Sequence, residues 1–209
     1  MNANKLKVKF ISWLINKYGS ENIVIGNEVL FSVDKCRADL VMFKKNKMFA
    51  YEFKSDSDNF LDIDLQLTQY ITTFDYTYIV LTSKHKKQIE NLKKYNVGIF
   101  IYEKSKFKFI KKPLLSKKIS KNNLAEFLHK SEIKEIIHIP QYNKESIFNC
   151  RKLAVQKCSK KKIQELAYST LEYRYSRLYN LFLFDTNKDS IMVEDLKTLT
   201  GNITTDKLY

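Results

Sequence analysis

The stretch RADLVMFKKNKMFAYEFKSD, Arg37 to Asp56, constrains the fold more than any other part of the chain. Two apolar, aromatic-rich runs flank a short lysine-rich turn, and each run carries one acid, Asp39 in the first and Glu52 in the second. A hairpin closed by two residues at Lys45 and Asn46 pairs Phe43 with Met48 and, further out, Asp39 with Glu52. Directly opposed side chains share one face of a sheet, with Cβ atoms about 5 Å apart. The two-residue period of a strand puts Lys54 on the face of Glu52 and sends Tyr51 and Phe53 to the other. Two carboxylates held that close repel each other unless a proton or a cation lies between them, and hard oxygen ligands suit magnesium or manganese. With an ammonium beside them, they form the set that phosphodiester hydrolysis uses: a metal to polarise the phosphoryl oxygen and acidify a water, and a fixed cation to meet the developing charge.

The elements around the hairpin follow from periodicity. Phe10, Ile11, Leu14 and Tyr18 recur at helical spacing, so residues 5–18 are expected to form a helix with its lysines on the opposite side. NIVIGNEVLFSV is β-branched and apolar and reads as a strand, with Gly26 marking a bulge. Strands are expected at 37–43 and 48–54. The SDSDN stretch can cap a helix on which Ile63, Leu67, Tyr70, Ile71 and Phe74 repeat. YTYIVLTS is a short buried strand, followed by a helix at 84–95 and the strands VGIFIY and KFKFI. The expected order is α-β-β-β-α-β, a mixed sheet flanked by helices in an α/β fold. From about residue 114 onward NNLAEFLHKSEIKEII and KKKIQELAYSTLEYRYSRLYNLFLF read as helices. The expected organisation is a core at 1–112, a helical basic region at 113–186 and a tail at 187–209.

Composition narrows the function classes. The 209 residues include 37 lysines and arginines against 23 acids, a net charge of +14, which favours a polyanionic partner and nucleic acid above all. Only four glycines and two prolines leave little room for linkers. Three scattered cysteines form no CxxC pair and point to a reducing compartment. Three scattered histidines give no zinc spacing. No apolar run is long enough to cross a membrane, and the opening segment lacks the apolar centre and cleavage site of a signal peptide. A cytoplasmic protein without a membrane partner is expected.

RADL followed by YEFKSD, within this order of elements, resembles the PD-(D/E)XK nuclease superfamily, with Ala38 where that motif often has proline. Asp58, Gln66 and Tyr70 in QLTQY, Phe74 with Asp75, and His85 sharpen the resemblance to one small bacterial and phage-borne, nuclease-like family. The resemblance covers roughly residues 20 to 102. It implies a restriction-endonuclease-like core, Asp39 and Glu52 as metal ligands with the Phe53 carbonyl as a third, Lys54 as the catalytic lysine, and Gln66 facing the site to contact a water or phosphate. Glu28 on the preceding strand is a further candidate ligand, balanced against an edge-exposed glutamate. Arg37 is a candidate phosphate contact, balanced against a solvated strand-end arginine. Tyr70 and His85 are expected to be mainly structural.

Lysine recurs from Lys84 to Lys121 with only Glu90 and Glu103 opposing it. Lys86, Lys87, Lys93 and Lys94 are the candidates for contacts to a nucleic-acid backbone, contacts that hold without reading sequence. On the last long helix Ile163, Leu166, Ala167, Leu171, Tyr175 and Leu178 form a packing stripe, and Tyr168, Tyr173, Tyr175 and Tyr179 are expected to be core more than base-stacking platforms. A homodimer contact through these C-terminal helices is the other use open to them. Together these features lead to the expectation of a magnesium- or manganese-dependent deoxyribonuclease of little sequence specificity. The alternatives are RNA as substrate, and a DNA- or protein-binding regulator of a phage or mobile element that keeps the nuclease fold and does not cleave.

Overall fold

The computed structural model describes residues 1–32, 34–139, 142–186 and 190–201. Helix α1 spans Ala3–Tyr18, capped by the Asn2 side chain, which accepts from the Lys5 N–H. Three antiparallel strands follow, β1 (Val24–Phe31), β2 (Cys36–Lys44) and β3 (Lys47–Lys54). Helix α2 (Ile63–Ile71) crosses to β4 (Tyr76–Thr82), which runs parallel to β3. A 3-10 segment, Ser83–Gln88, and the single turn α3 (Ile89–Leu92) stand where one helix was expected, and lead to β5 (Gly98–Glu103), again parallel, and β6 (Lys106–Lys111), antiparallel. The six strands lie in sequence order in one mixed sheet. The chain closes with α4 (Lys121–Glu126), α5 (Lys130–Ile136), α6 (Ile147–Lys157) and the 26-residue α7 (Lys160–Asp185). This is the expected α/β fold with a helical C-terminal region.

The β2–β3 hairpin has the register read from the sequence. Phe43 pairs with Met48 and Lys44 with Lys47, around a turn in which Lys45 and Asn46 both have positive φ, 50° and 56°. Two left-handed residues make the turn whose twist matches that of the strands. Gly26, expected to mark a bulge, pairs regularly with Val41. Its lack of a side chain serves packing instead, since a Cβ there would meet the Tyr175 ring at 2.5 Å. The irregularity lies two residues on, at Glu28, where φ is 52° and the ladder to β2 skips a rung. Across it the faces of β1 exchange: Ile23 and Ile25 pack with α1, whereas Val29 and Phe31 pack with the C-terminal helices.

α1 covers one face of the sheet, where Leu6, Phe10 and Leu14 meet Leu40, Tyr51, Phe53, Val80 and Phe100. α2 covers part of the other face, and α4 to α7 cover the rest, in a cluster that joins Val41, Phe43 and Ala50 to Leu124, Ile133, Ala154 and Leu171. The sheet and the helical region therefore share one hydrophobic cluster. α7 wraps the β1 edge: its first half packs on the helical side, while Tyr179 and Phe182 reach the α1 side. In the segment read as a tail, residues 190–201 return to the core. Ile191, Leu196 and Leu199 are buried there, the Leu199 carbonyl accepts from the Asn27 N–H, and Thr200 bridges to β1. The β1 edge is thereby covered at Asn27, in the middle of the strand.

Candidate functional site

The ladder between β2 and β3 stops at Leu40–Tyr51. One step beyond that rung Asp39 stands across from Glu52, and side-chain bonds replace the backbone ladder at this fork. The Phe53 N–H donates to Asp39 Oδ2 at 2.8 Å. Glu52 is 7% exposed; its Oε2 accepts from the Tyr70 hydroxyl at 2.7 Å and its Oε1 lies 3.0 Å from Lys54 Nζ. Lys54 Nζ also donates to Gln66 Oε1 at 2.8 Å. Glu52 faces α2 with Lys54, while Tyr51 and Phe53 pack toward α1, as the two-residue period requires. α2 thus presents Gln66 and Tyr70, one turn apart, to the two charged residues of β3.

Burial pushes the Glu52 carboxyl up, and the Asp39 charge adds to this; Lys54 and Tyr70 oppose it, and the balance lies at about 7. Burial is the larger cause and the neighbouring Asp39 charge the smaller, and both favour the uncharged form of the Glu52 carboxyl. Tyr70 has two roles. Its ring packs against Phe31 and Phe74, and its hydroxyl accepts from the Asp39 N–H at 3.2 Å while donating to Glu52. Burial, and then the Glu52 charge, hold its phenol well above the ordinary range, so it is a donor here.

Lys7 is the residue that sequence reading missed. Expected on the solvent side of α1, it is 2% exposed, with its Nζ 2.8 Å from Asp39 Oδ1 and bonded also to Glu28. Burial alone works against its ammonium, but Asp39 and Glu28 more than offset that, and its pKa is raised. The signal was present: Lys7 precedes Phe10, Ile11 and Leu14 by three, four and seven residues, and so lies on the apolar stripe itself. Glu28, across from Asp39, is turned toward Lys7 by its left-handed backbone, a conformation that costs a non-glycine residue about 1–2 kcal/mol.

The match that places the chain is to a family described as Bacteriophage P4 protein cII, whose profile covers residues 1–200. The chain belongs to that family. Protein cII of Enterobacteria phage P4 is 27% identical over 209 residues, which take in 96% of this chain and 78% of that protein. Among solved structures, a protein of unknown function from Silicibacter pomeroyi superposes with a TM-score of 0.42 at 14% identity, over 57% of this chain and 77% of that one. An XisH family protein from Nostoc punctiforme superposes with a TM-score of 0.35 at 17% identity, over 50% of this chain and 97% of that one.

In this member of the cII family, Lys7, Glu28, Asp39, Glu52, Phe53, Lys54, Gln66 and Tyr70 meet at the fork, all inside the matched span. Other expected positions lie elsewhere. Arg37 is exposed on β2, paired with Leu30. Lys86, Lys93 and Lys94 are each spoken for, by Glu103 at 3.3 Å, Glu90 at 2.6 Å and Asp64 at 3.9 Å, whereas Lys87 is exposed and has no acid within salt-bridge distance among the described residues. His85 is buried and its Nε2 meets the Ser55 carbonyl at 2.6 Å, which pins the segment after β4 to the loop after β3. Asp58 closes that loop on the N–H and hydroxyl of Ser55; the SDSDN stretch binds itself and leaves the α2 N-cap to Asp62. Asp75 is buried at the far end of β3, accepting from Lys47 and from the Met48 N–H. Of the four tyrosines of α7, Tyr168, Tyr175 and Tyr179 are core and Tyr173 is 66% exposed. The three cysteines are free, and no helix among the described residues is long and apolar enough to cross a membrane.

Proposed function

We propose that this cII-family protein hydrolyses phosphodiester bonds of nucleic acid, DNA first, at the fork between β2 and β3, with a PD-(D/E)XK type of site and action in the host cytoplasm. The observation that carries this reading is the linked set Glu52–Lys54–Gln66, joined at 2.8–3.0 Å, with Asp39 tied at 2.8 Å to the Phe53 N–H between them, at the point where a strand ladder opens. The cluster fits a hard divalent cation in its donor type and in its electrostatics. Asp39 and Glu52 offer carboxylate oxygens, and the Asp39 charge, after burial, contributes to the upward shift of Glu52, a repulsion that a cation between the two would relieve. Among the described residues no three acidic, histidine or cysteine side chains are arranged as a ready cage, so Asp39 and Glu52 would hold the ion with backbone oxygen, the Phe53 carbonyl being the candidate, and water. When bound, magnesium or manganese supplies polarisation of the phosphoryl oxygen and a more acidic water.

The side chains do the rest. Lys54, held between Glu52 and Gln66, keeps a fixed charge for the developing negative charge on phosphate. Gln66 orients that ammonium and offers its amide N–H to a water or phosphate oxygen. Tyr70 fixes Glu52 from behind. Basic surface outside the fork, Lys87 foremost, supplies attraction that does not depend on sequence.

A second reading, a phage regulatory protein that binds DNA or another protein without cutting, is supported by kinship with a phage protein cII and by Lys7, which already gives Asp39 a counter-ion. One experiment separates the two: purified protein incubated with linear, circular and single-stranded DNA and with RNA, in magnesium, in manganese and in EDTA. Cleavage with metal and none in EDTA supports hydrolysis. Salt-sensitive binding with no cleavage in either metal supports the regulator.

A further inference from the structure

Asp39 has both oxygens engaged before any substrate arrives. Oδ2 accepts from the Phe53 N–H at 2.8 Å, and Oδ1 faces Lys7 Nζ at 2.8 Å. Glu28, the third acid at the fork, is held by the same ammonium. Lys7 cannot move aside easily. Its stem lies on the stripe of α1 that packs into the sheet, between Leu6 and Phe10, both fully buried, and its side chain is only 3% exposed. The helix is fixed at its start by the Asn2 cap and along its length by the aromatic packing of Phe10 on Tyr51, Phe53 and Phe100.

We propose that Lys7 is a resident counter-ion that competes with a divalent cation for Asp39 and keeps Glu28 out of the ligand set, so that α1 sets how readily the site takes up metal. The proposal rests on the metal-site reading above. Its physical content is one of charge. Fully ionised, Asp39, Glu52 and Glu28 would supply three negative charges against the two positive charges of Lys7 and Lys54, and the upward shift of Glu52 lowers that excess further, so the lysines already balance most of the acid charge. A dication that takes Asp39 does so against an ammonium that already touches the same oxygen, and like charges at that separation repel strongly in a partly buried site. Lys7 is thus a positioning residue: it acts on the acids and not on the substrate.

The test measures metal uptake and not catalysis. Full-length wild-type protein and the variants Lys7→Met, Lys7→Gln and Lys7→Arg are titrated with Mn2+ by isothermal calorimetry, and thermal unfolding is followed with and without Mn2+. The neutral variants should bind Mn2+ about ten-fold more tightly or better, because a competing charge has gone and Glu28 is released. Lys7→Arg, which keeps the charge, should stay near wild type. Without metal the neutral variants should melt lower than wild type, with Mn2+ recovering much of the difference; the glutamine keeps hydrogen bonding to the acids if the methionine fails to fold. Folded neutral variants that bind Mn2+ no more tightly than wild type would overturn the inference and leave the metal site intact. Absence of Mn2+ binding in wild type and neutral variants alike would remove the metal site and this inference with it.

Discussion

Replacing Tyr70 with phenylalanine removes one oxygen atom from the point where α2 is tied to the fork, and the structure allows the effect to be worked out. The ring packs between Phe31 and Phe74 and is unchanged by the substitution, so no cavity opens. What is lost is a 2.7 Å hydrogen bond to the Glu52 carboxylate and a 3.2 Å bond from the Asp39 N–H. A hydrogen bond to a charged group contributes about 1.5–3 kcal/mol, and an orphaned buried N–H costs about 1–3 kcal/mol, toward the low end here because water can reach Asp39. The expected loss is about 2–4 kcal/mol, which for a chain of this size lowers Tm by roughly 2–4 °C per kcal/mol. Urea unfolding followed by circular dichroism checks it, with the midpoint falling at unchanged slope if only stability has altered. A Tyr70→Phe protein within about 0.5 kcal/mol of wild type would refute the bridging role and leave Tyr70 a core residue only, because surface-type changes fall in that range.

Three further outcomes follow from other parts of the molecule. Ending the chain after Thr186 removes Ile191, Leu196 and Leu199 from the α1 side of the core. At about 1.5–3 kcal/mol for each buried aliphatic side chain, thermal melting should show a loss of about 5 kcal/mol or more, and size-exclusion chromatography should show association through the uncovered β1 edge. Gly26→Ala should cost about 1–3 kcal/mol by overpacking against Tyr175, measured by urea unfolding. Nucleic-acid affinity should fall steeply with salt, and Lys87→Ala should weaken binding more than Lys93→Ala, whose ammonium is already paired with Glu90; filter binding at several salt concentrations reads both.

The hairpin and its acids were legible in the sequence because two local rules act together there. A two-residue turn fixes the register, and the register fixes which side chains oppose each other. The same logic failed at β1, where the left-handed residue at Glu28 exchanges the faces of the strand; a glutamate gives no sign of that backbone, while Gly26, which does invite it, is used for the close approach of Tyr175. Lys7 was hidden for a different reason. A lysine on a helix is ordinarily solvated, and only the two carboxylates that meet it across the fold reverse the cost of burying it. The return of residues 190–201 to β1 depends on contacts more than 160 residues apart, such as Asn27 with Leu196 and Thr200, which no local pattern carries.

The most direct test of the central claim compares cutting with binding in single-site variants. Wild-type protein, Asp39→Ala, Glu52→Ala, Lys54→Ala and the control Lys134→Ala are incubated with linear duplex DNA in magnesium or manganese, and binding is measured in parallel. Cleavage should vanish in the two acid variants and slow by about 10²-fold or more in Lys54→Ala, while DNA binding persists in all and Lys134→Ala behaves as wild type. Wild-type protein that cuts no nucleic acid with either metal, or metal-dependent cutting that survives all three site substitutions, would contradict the claim.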